Sequence, residues 1–106
     1  VLIEIALRFS GVSYPIFYTP DEIVGASLRP NAEGWWTKEG RSYVRVNSVG
    51  LRDIEHKIDK PIGTYRIAVL GDSYAEAFQV SLESAFWKIM EREWRVAERW
   101  AGTGLR

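Results

Sequence analysis

The chain has 106 residues, 46% hydrophobic and 26% charged, which fits one soluble globular domain. Fourteen basic side chains balance fourteen acidic ones, so there is no electrostatic footprint for nucleic acid. The absence of cysteine excludes disulfides, thiolate nucleophiles and cysteine zinc sites, and the single histidine, His56, excludes a multi-histidine metal centre.

The first residues, Val1 to Phe9, are apolar but far shorter than the roughly 20 residues of a membrane span, and they carry Glu4 and Arg8. Two readings of residues 1–10 stand side by side: the end of a longer anchor or signal helix, or a short amphipathic helix with an i,i+4 Glu4–Arg8 pair. Residues 10–34 hold Pro15, Pro20 and Pro30 among Gly11, Gly25 and Gly34, and predict an irregular arm rather than part of a sheet. Within the arm, Asp21-Glu22 suits the cap of a short helical turn.

A hairpin is predicted next. Trp35-Trp36-Thr37 is β-prone, Lys38-Glu39-Gly40 is turn-like, and Tyr43 to Asn47 alternates. Val44 and Val46 fall on one face, with Tyr43, Arg45 and Asn47 on the other. Residues 52–60 are charged and predicted to be exposed, and Pro61 and Gly63 close that connection. The arm and hairpin together form a lead-in over residues 11–64.

Tyr65 to Leu70 reads as the clearest strand, and its continuous apolar run Ile67-Ala68-Val69-Leu70 suits a central parallel strand. It runs into Gly71-Asp72-Ser73. A serine on a sharp turn between strand and helix is well placed as a nucleophile, because the helix start offers free N–H groups and a positive dipole end to an oxyanion. The competing reading makes Ser73 a helix N-cap. Asp72 is expected to accept backbone N–H groups rather than act in catalysis. The last element is a helix from about Ser81, with Ser81 as N-cap and Leu82, Phe86, Ile89, Met90, Trp94, Ala97 and Trp100 at helical spacing. That stripe reads as a core face, and Gly102 and Gly104 as helix stops. Residues 65–106 thus form one β–α unit, whose strand needs neighbours that the chain does not obviously supply.

The stretch Arg66 to Tyr74, with Gly71-Asp72-Ser73 at its centre, resembles the first sequence block of the SGNH/GDSL hydrolases. The upstream Asn47-Ser48-Val49-Gly50-Leu51-Arg52-Asp53 and Lys60-Pro61-Ile62-Gly63-Thr64 resemble the lead-in of bacterial members, and Val80 to Phe86 resembles the family's first long helix. The likeness covers residues 28–94. It implies a three-layer α/β/α, flavodoxin-like domain with a mostly parallel sheet, of which this chain holds the first β–α unit and an N-terminal arm. It further implies a serine ester hydrolase acting on a small-molecule or glycan ester, with Ser73 as nucleophile and as one N–H of the oxyanion hole. Gly71 and Asp72 would support the turn, and no metal or cofactor would be needed.

In the family, a later glycine and asparagine complete the oxyanion hole, and a later Asp-x-x-His supplies the base. After Ser73 this chain has no histidine and no asparagine, so it reads as an inactive N-terminal piece. A non-catalytic binding or partner-dependent module is the alternative. Family members often carry an N-terminal membrane segment, so the domain is expected outside the cytoplasmic membrane if residues 1–10 end an anchor, and in the cytoplasm otherwise. His56 lies in a charged loop and is a poor candidate for the base. Trp35-Trp36 could stack on a sugar or acyl chain, although packing is the simpler role. Glu76 and Glu83 are too scattered for a paired-carboxylate site. A phosphate site at the glycine turn lacks the repeated glycines and lysine that it would need.

Overall fold

The computed structural model describes residues 1–10 and 15–103. Its radius of gyration is 17.9 Å, against about 13 Å for a compact chain of this length. A small core is therefore joined to segments that extend away from it.

The core is built on two antiparallel hairpins. In the first, β1 (Tyr18–Asp21) pairs with β2 (Gly25–Leu28) from Tyr18↔Leu28 to Asp21↔Gly25. The arm thus does contribute a sheet, contrary to the sequence expectation. Pro20 is tolerated because a two-stranded ribbon has a free edge for a residue without an N–H. Asp21 caps the β-turn and not a helical one. Its Oδ1 accepts from the N–H groups of Ile23 at 2.8 Å and Val24 at 3.0 Å, and Gly25 supplies the left-handed φ of +82° that closes the loop.

In the second hairpin, β3 (Glu33–Trp36) pairs with β4 (Ser42–Arg45). Its outer face carries an Arg45–Glu33 ion pair at 2.8 Å and an edge-on Trp35–Tyr43 contact at 5.5 Å. On the inner face Ser42, Val44 and Val46 are buried, as period-2 alternation requires. Asn47 departs from that alternation. It lies past the strand and is buried, because its side chain organises the next turn. Its Oδ1 accepts from the N–H groups of Val49 (3.1 Å) and Leu51 (2.9 Å), and its Nδ2 donates to Ile54 O at 3.2 Å.

Phe17, Ala32, Val44, Val46 and Phe78 form the buried cluster, with Leu28 and Trp36 packed against it. Phe78 sits at its centre, with ring centroids 5.2 Å from both Phe17 and Trp36. The lead-in therefore closes its core around a residue that lies just beyond the serine turn.

Residues 65–70 form no strand. Ile67, Val69 and Leu70 are exposed, and no described segment lies beside them to complete a ladder. Sheet hydrogen bonds need a neighbour, so apolar sequence alone does not make a strand. The loop before them is pinned where Arg66 donates to Lys57 O (2.8 Å) and Ile58 O (3.0 Å).

The helices are α1 (Leu2–Phe9), α2 (Ser73–Glu76) and α3 (Phe86–Thr103). The Glu4–Arg8 pair forms in α1 at 2.7 Å, and every residue of that helix is exposed. No described helix is long and apolar enough to cross a membrane. A 3₁₀ turn, Leu82–Ser84, precedes α3, so the long helix starts later than Ser81. Ser81 does not cap it with its side chain, because its hydroxyl donates to the Ser84 hydroxyl at 3.0 Å. Phe86, Ile89, Met90, Trp94 and Trp100 remain exposed, so the stripe read as a core face is uncovered in this chain. Gly102 lies within α3, and Gly104 falls outside the described residues.

Candidate functional site

The site is built on the one-turn helix α2. Gly71 is required immediately before it, since a Cβ there would lie 2.6 Å from the Ala75 Cβ. Asp72 is the N-cap: its backbone is extended and its Oδ1 accepts the Tyr74 N–H at 3.0 Å. Ser73 is therefore the first helical residue and not the cap. Its side chain is exposed, and its hydroxyl has no hydrogen-bond partner among the described residues. Its backbone N–H is one of the first-turn donors that a helix cannot satisfy internally.

One turn of helix is not stable alone, and here contacts from distant parts of the chain hold it. The Trp87 indole on α3 donates to Ala75 O at 2.9 Å. Tyr18 on β1 donates its phenol to Glu76 Oε2 at 2.6 Å. The Arg52 guanidinium donates to the carbonyls of Glu76, Ala77 and Val80 and stacks over the Phe78 ring at 5.4 Å. The Ser42 hydroxyl donates to Phe78 O. Ala77 ends the helix in the left-handed conformation, with φ of 52°.

Ser73 opens onto a shallow cleft of ≈180 Å³. Trp36 and Phe78 give it an aromatic base, and the Tyr18–Glu76 pair forms a wall next to the serine. Lys38, Glu39 and Gln79 complete the rim, where Gln79 Nε2 reaches Glu39 Oε2 at 3.4 Å. Gly40 lets the hairpin turn lie against this rim, since a Cβ there would meet Gln79 O at 2.4 Å. Burial first, and then the hydrogen bond to Glu76, push the Tyr18 phenol up to about 12. The phenol therefore stays protonated and keeps donating through the physiological range.

His56 does not join Ser73. Its Nε2 lies 2.9 Å from Asp53 Oδ2, and Asp53 also receives Lys88 Nζ at 3.1 Å and the Ile54 N–H at 2.8 Å. Burial alone would raise the Asp53 pKa, but the donors from His56, Ile54 and Lys88 together outweigh it and hold the carboxyl below its usual range. This cluster ties the lead-in to α3 and lies outside the serine cleft.

No group of three potential metal ligands occurs among the described residues. Trp36 lines the cleft, while Trp35 stays on the outer face beneath Arg41, whose guanidinium carbon is 4.9 Å from the ring centroid. Glu76 joins the cleft wall, and Glu83 is exposed on the 3₁₀ turn.

Arg52 is the residue that sequence reasoning misplaced. Its charged neighbours suggested solvent, yet it is 7% exposed. No local sequence signal marks it, because the carbonyls that receive it lie 24 to 28 positions further along the chain.

Comparison of the chain with family models, with curated proteins and with solved structures returned no match.

Proposed function

We propose that this chain is the N-terminal part of a serine ester hydrolase of the SGNH/GDSL type. The observation that carries the reading is the Ser73 hydroxyl, exposed and unpartnered among the described residues, on the first residue of a helix that opens onto a cleft. In the complete site, Ser73 Oγ attacks an ester carbonyl and its proton passes to a base. The tetrahedral oxyanion is held by the Ser73 N–H and by donors from later segments. The alcohol leaves with that proton, and water then releases the acid from the acyl-enzyme. The base is a histidine supplied with its orienting aspartate from sequence after this chain. Further strands from the same region would pair with residues 65–70 and complete an α/β/α sandwich. Attachment to a membrane through sequence upstream of α1 would suit the exposed apolar side chains Leu2, Ile3 and Phe9.

A second reading, a non-catalytic binding module, is favoured by one observation: no imidazole lines the cleft. The two readings diverge on a single variant. In the full-length protein, a serine-directed fluorophosphonate should label the native form and not Ser73→Ala. Labelling that persists in Ser73→Ala removes the nucleophile assignment. Ligand binding that survives the substitution, with no labelling of the native form, selects the binding module.

A further inference from the structure

Arg52 is a buried cation without a carboxylate hydrogen-bond partner among the described residues. Its guanidinium is spent on three backbone carbonyls, those of Glu76, Ala77 and Val80. Two of these belong to the C-terminal end of α2, the helix whose first residue is Ser73. A helix cannot satisfy its last carbonyls internally, and Arg52 supplies the donors that this single turn lacks. Burying a charge is costly unless its donors are used. Here Nη1 and Nη2 carry all three bonds, while the buried Nε has no partner among the described residues, so losing these bonds would strand the whole charge. The same side chain packs over Phe78, the centre of the core. It sits on a turn held by Asn47 Oδ1, which accepts from the Val49 and Leu51 N–H groups, and permitted by Gly50, whose φ is +82°.

We infer that Arg52 is a positioning residue for Ser73. It clamps the C-terminal end of α2 to the lead-in core, and so sets where the serine hydroxyl and its N–H point. This inference rests on the nucleophile reading for its consequence in reactivity, but not for the clamp itself. The clamp depends on the planar fork and not on charge alone. Lysine keeps the charge as a single point donor and lacks the two separate terminal nitrogens that reach Glu76 and Ala77 on one side and Val80 on the other. The Asn47–Asp53 segment therefore acts as part of the site, although none of its residues lines the cleft.

The test uses Arg52→Lys and Arg52→Met in the full-length protein, with two readouts. The first is hydrogen exchange of peptides covering 73–80, against peptides covering the Val46 amide, which donates to Ala32 O at 2.8 Å in the core. The second is the rate of Ser73 labelling by a fluorophosphonate. The expected result is exchange at least tenfold faster over 73–80 in both variants, unchanged protection at Val46, and labelling slowed at least tenfold. Added guanidinium should restore part of the labelling rate in Arg52→Met and none in native protein.

Unchanged exchange over 73–80 overturns the clamp. Equal loss of protection at Val46 makes Arg52 a general stabiliser and also overturns the inference. Faster exchange over 73–80 with labelling at the native rate overturns the positioning role. If the native protein itself does not label, the nucleophile reading has failed, and the exchange comparison still decides the clamp.

Discussion

The Tyr18 phenol donates to Glu76 Oε2 across 58 positions of sequence, at 2.6 Å, and ties the first hairpin to the serine-bearing helix. The phenol titrates near 12 in the fold against 10.0 for the free side chain, chiefly through burial and then through this bond. Between those values the folded state holds a proton that the unfolded state has lost. The stabilisation is therefore whole below pH 10 and disappears as the pH rises through about 12. An absorbance titration at the tyrosinate band should show a late-titrating component that is lost in Tyr18→Phe. The base limb of the stability profile should be correspondingly shallower in that variant. A native titration with the same late component as Tyr18→Phe, or with none, would disprove the coupling.

Phe78 joins the core to the site. It packs on Phe17 and Trp36, carries Arg52 over its ring, and its carbonyl accepts from Ser42. Replacing a fully buried phenylalanine by alanine costs about 3–5 kcal/mol through lost transfer energy and the cavity left behind. In a core this small, Phe78→Ala should unfold both hairpins, whereas Phe78→Leu should retain them. Hydrogen exchange at the Val46 amide distinguishes these outcomes. Retained protection in Phe78→Ala would mean that the hairpins are stable without the segment after α2.

What could be read from the sequence was local in origin. The Val44 and Val46 alternation depends only on strand period, and the Asp72 contact spans two residues. The β1–β2 hairpin was hidden because its turn is made by the Asp21 side chain, while Pro15, Pro20 and Pro30 argued for irregular chain. Residues 65–70 form no strand because sheet hydrogen bonds belong to a pair of neighbours, and no neighbour lies beside them among the described residues. Arg52 was misjudged because charge is a good guide to solvent exposure only where no set of carbonyls is waiting to be satisfied.

Gly71 lies under Ala75, where an added Cβ would come within 2.6 Å of the Ala75 Cβ. Both carbons are fixed to backbone, so Gly71→Ala must displace the turn and not merely rotate a side chain. The expected outcome in the full-length protein is a Ser73 labelling rate lowered at least tenfold, with the hairpin core intact. Ala75→Gly removes the obstructing methyl, at about 1 kcal/mol for glycine in a helix. The double variant should recover most of the lost rate. Failure of that rescue would show that Gly71 matters for its own backbone freedom and not for its proximity to Ala75.

Asp53 should control the acid limb of stability. Its carboxyl is held below the ordinary 3.8 because the donors from His56, Ile54 and Lys88 outweigh its burial. A depressed carboxylate stabilises the fold above its unfolded pKa and loses that contribution as the pH falls through the folded value. Asp53→Asn should therefore flatten the profile below about pH 4 and weaken the fold by about 1 kcal/mol near neutrality, since the Lys88 partner is mostly buried. Urea midpoints of the two forms across pH 2–7 would measure this. Parallel acid limbs would assign the acid sensitivity to other carboxylates.

The apolar surface left open predicts how the isolated chain behaves. Leu70 is 92% exposed, Ile67 61%, and Phe86 and Trp94 50% each. These residues lie on the segment entering the serine turn and on the helix that follows it, where the proposed α/β/α sandwich would cover both. Exposed apolar surface of this kind drives association. The chain alone should sediment as oligomers or aggregates at micromolar concentration and bind a hydrophobic dye. Leu70→Lys with Trp94→Lys should reduce both effects while leaving the Phe78 core protected. A form of the protein that supplies the proposed covering strands should be monomeric without those substitutions. A sharp, reversible thermal transition of a monomer in the unsubstituted chain would show that these residues need no cover, and it would remove the physical case for missing strands beside residues 65–70.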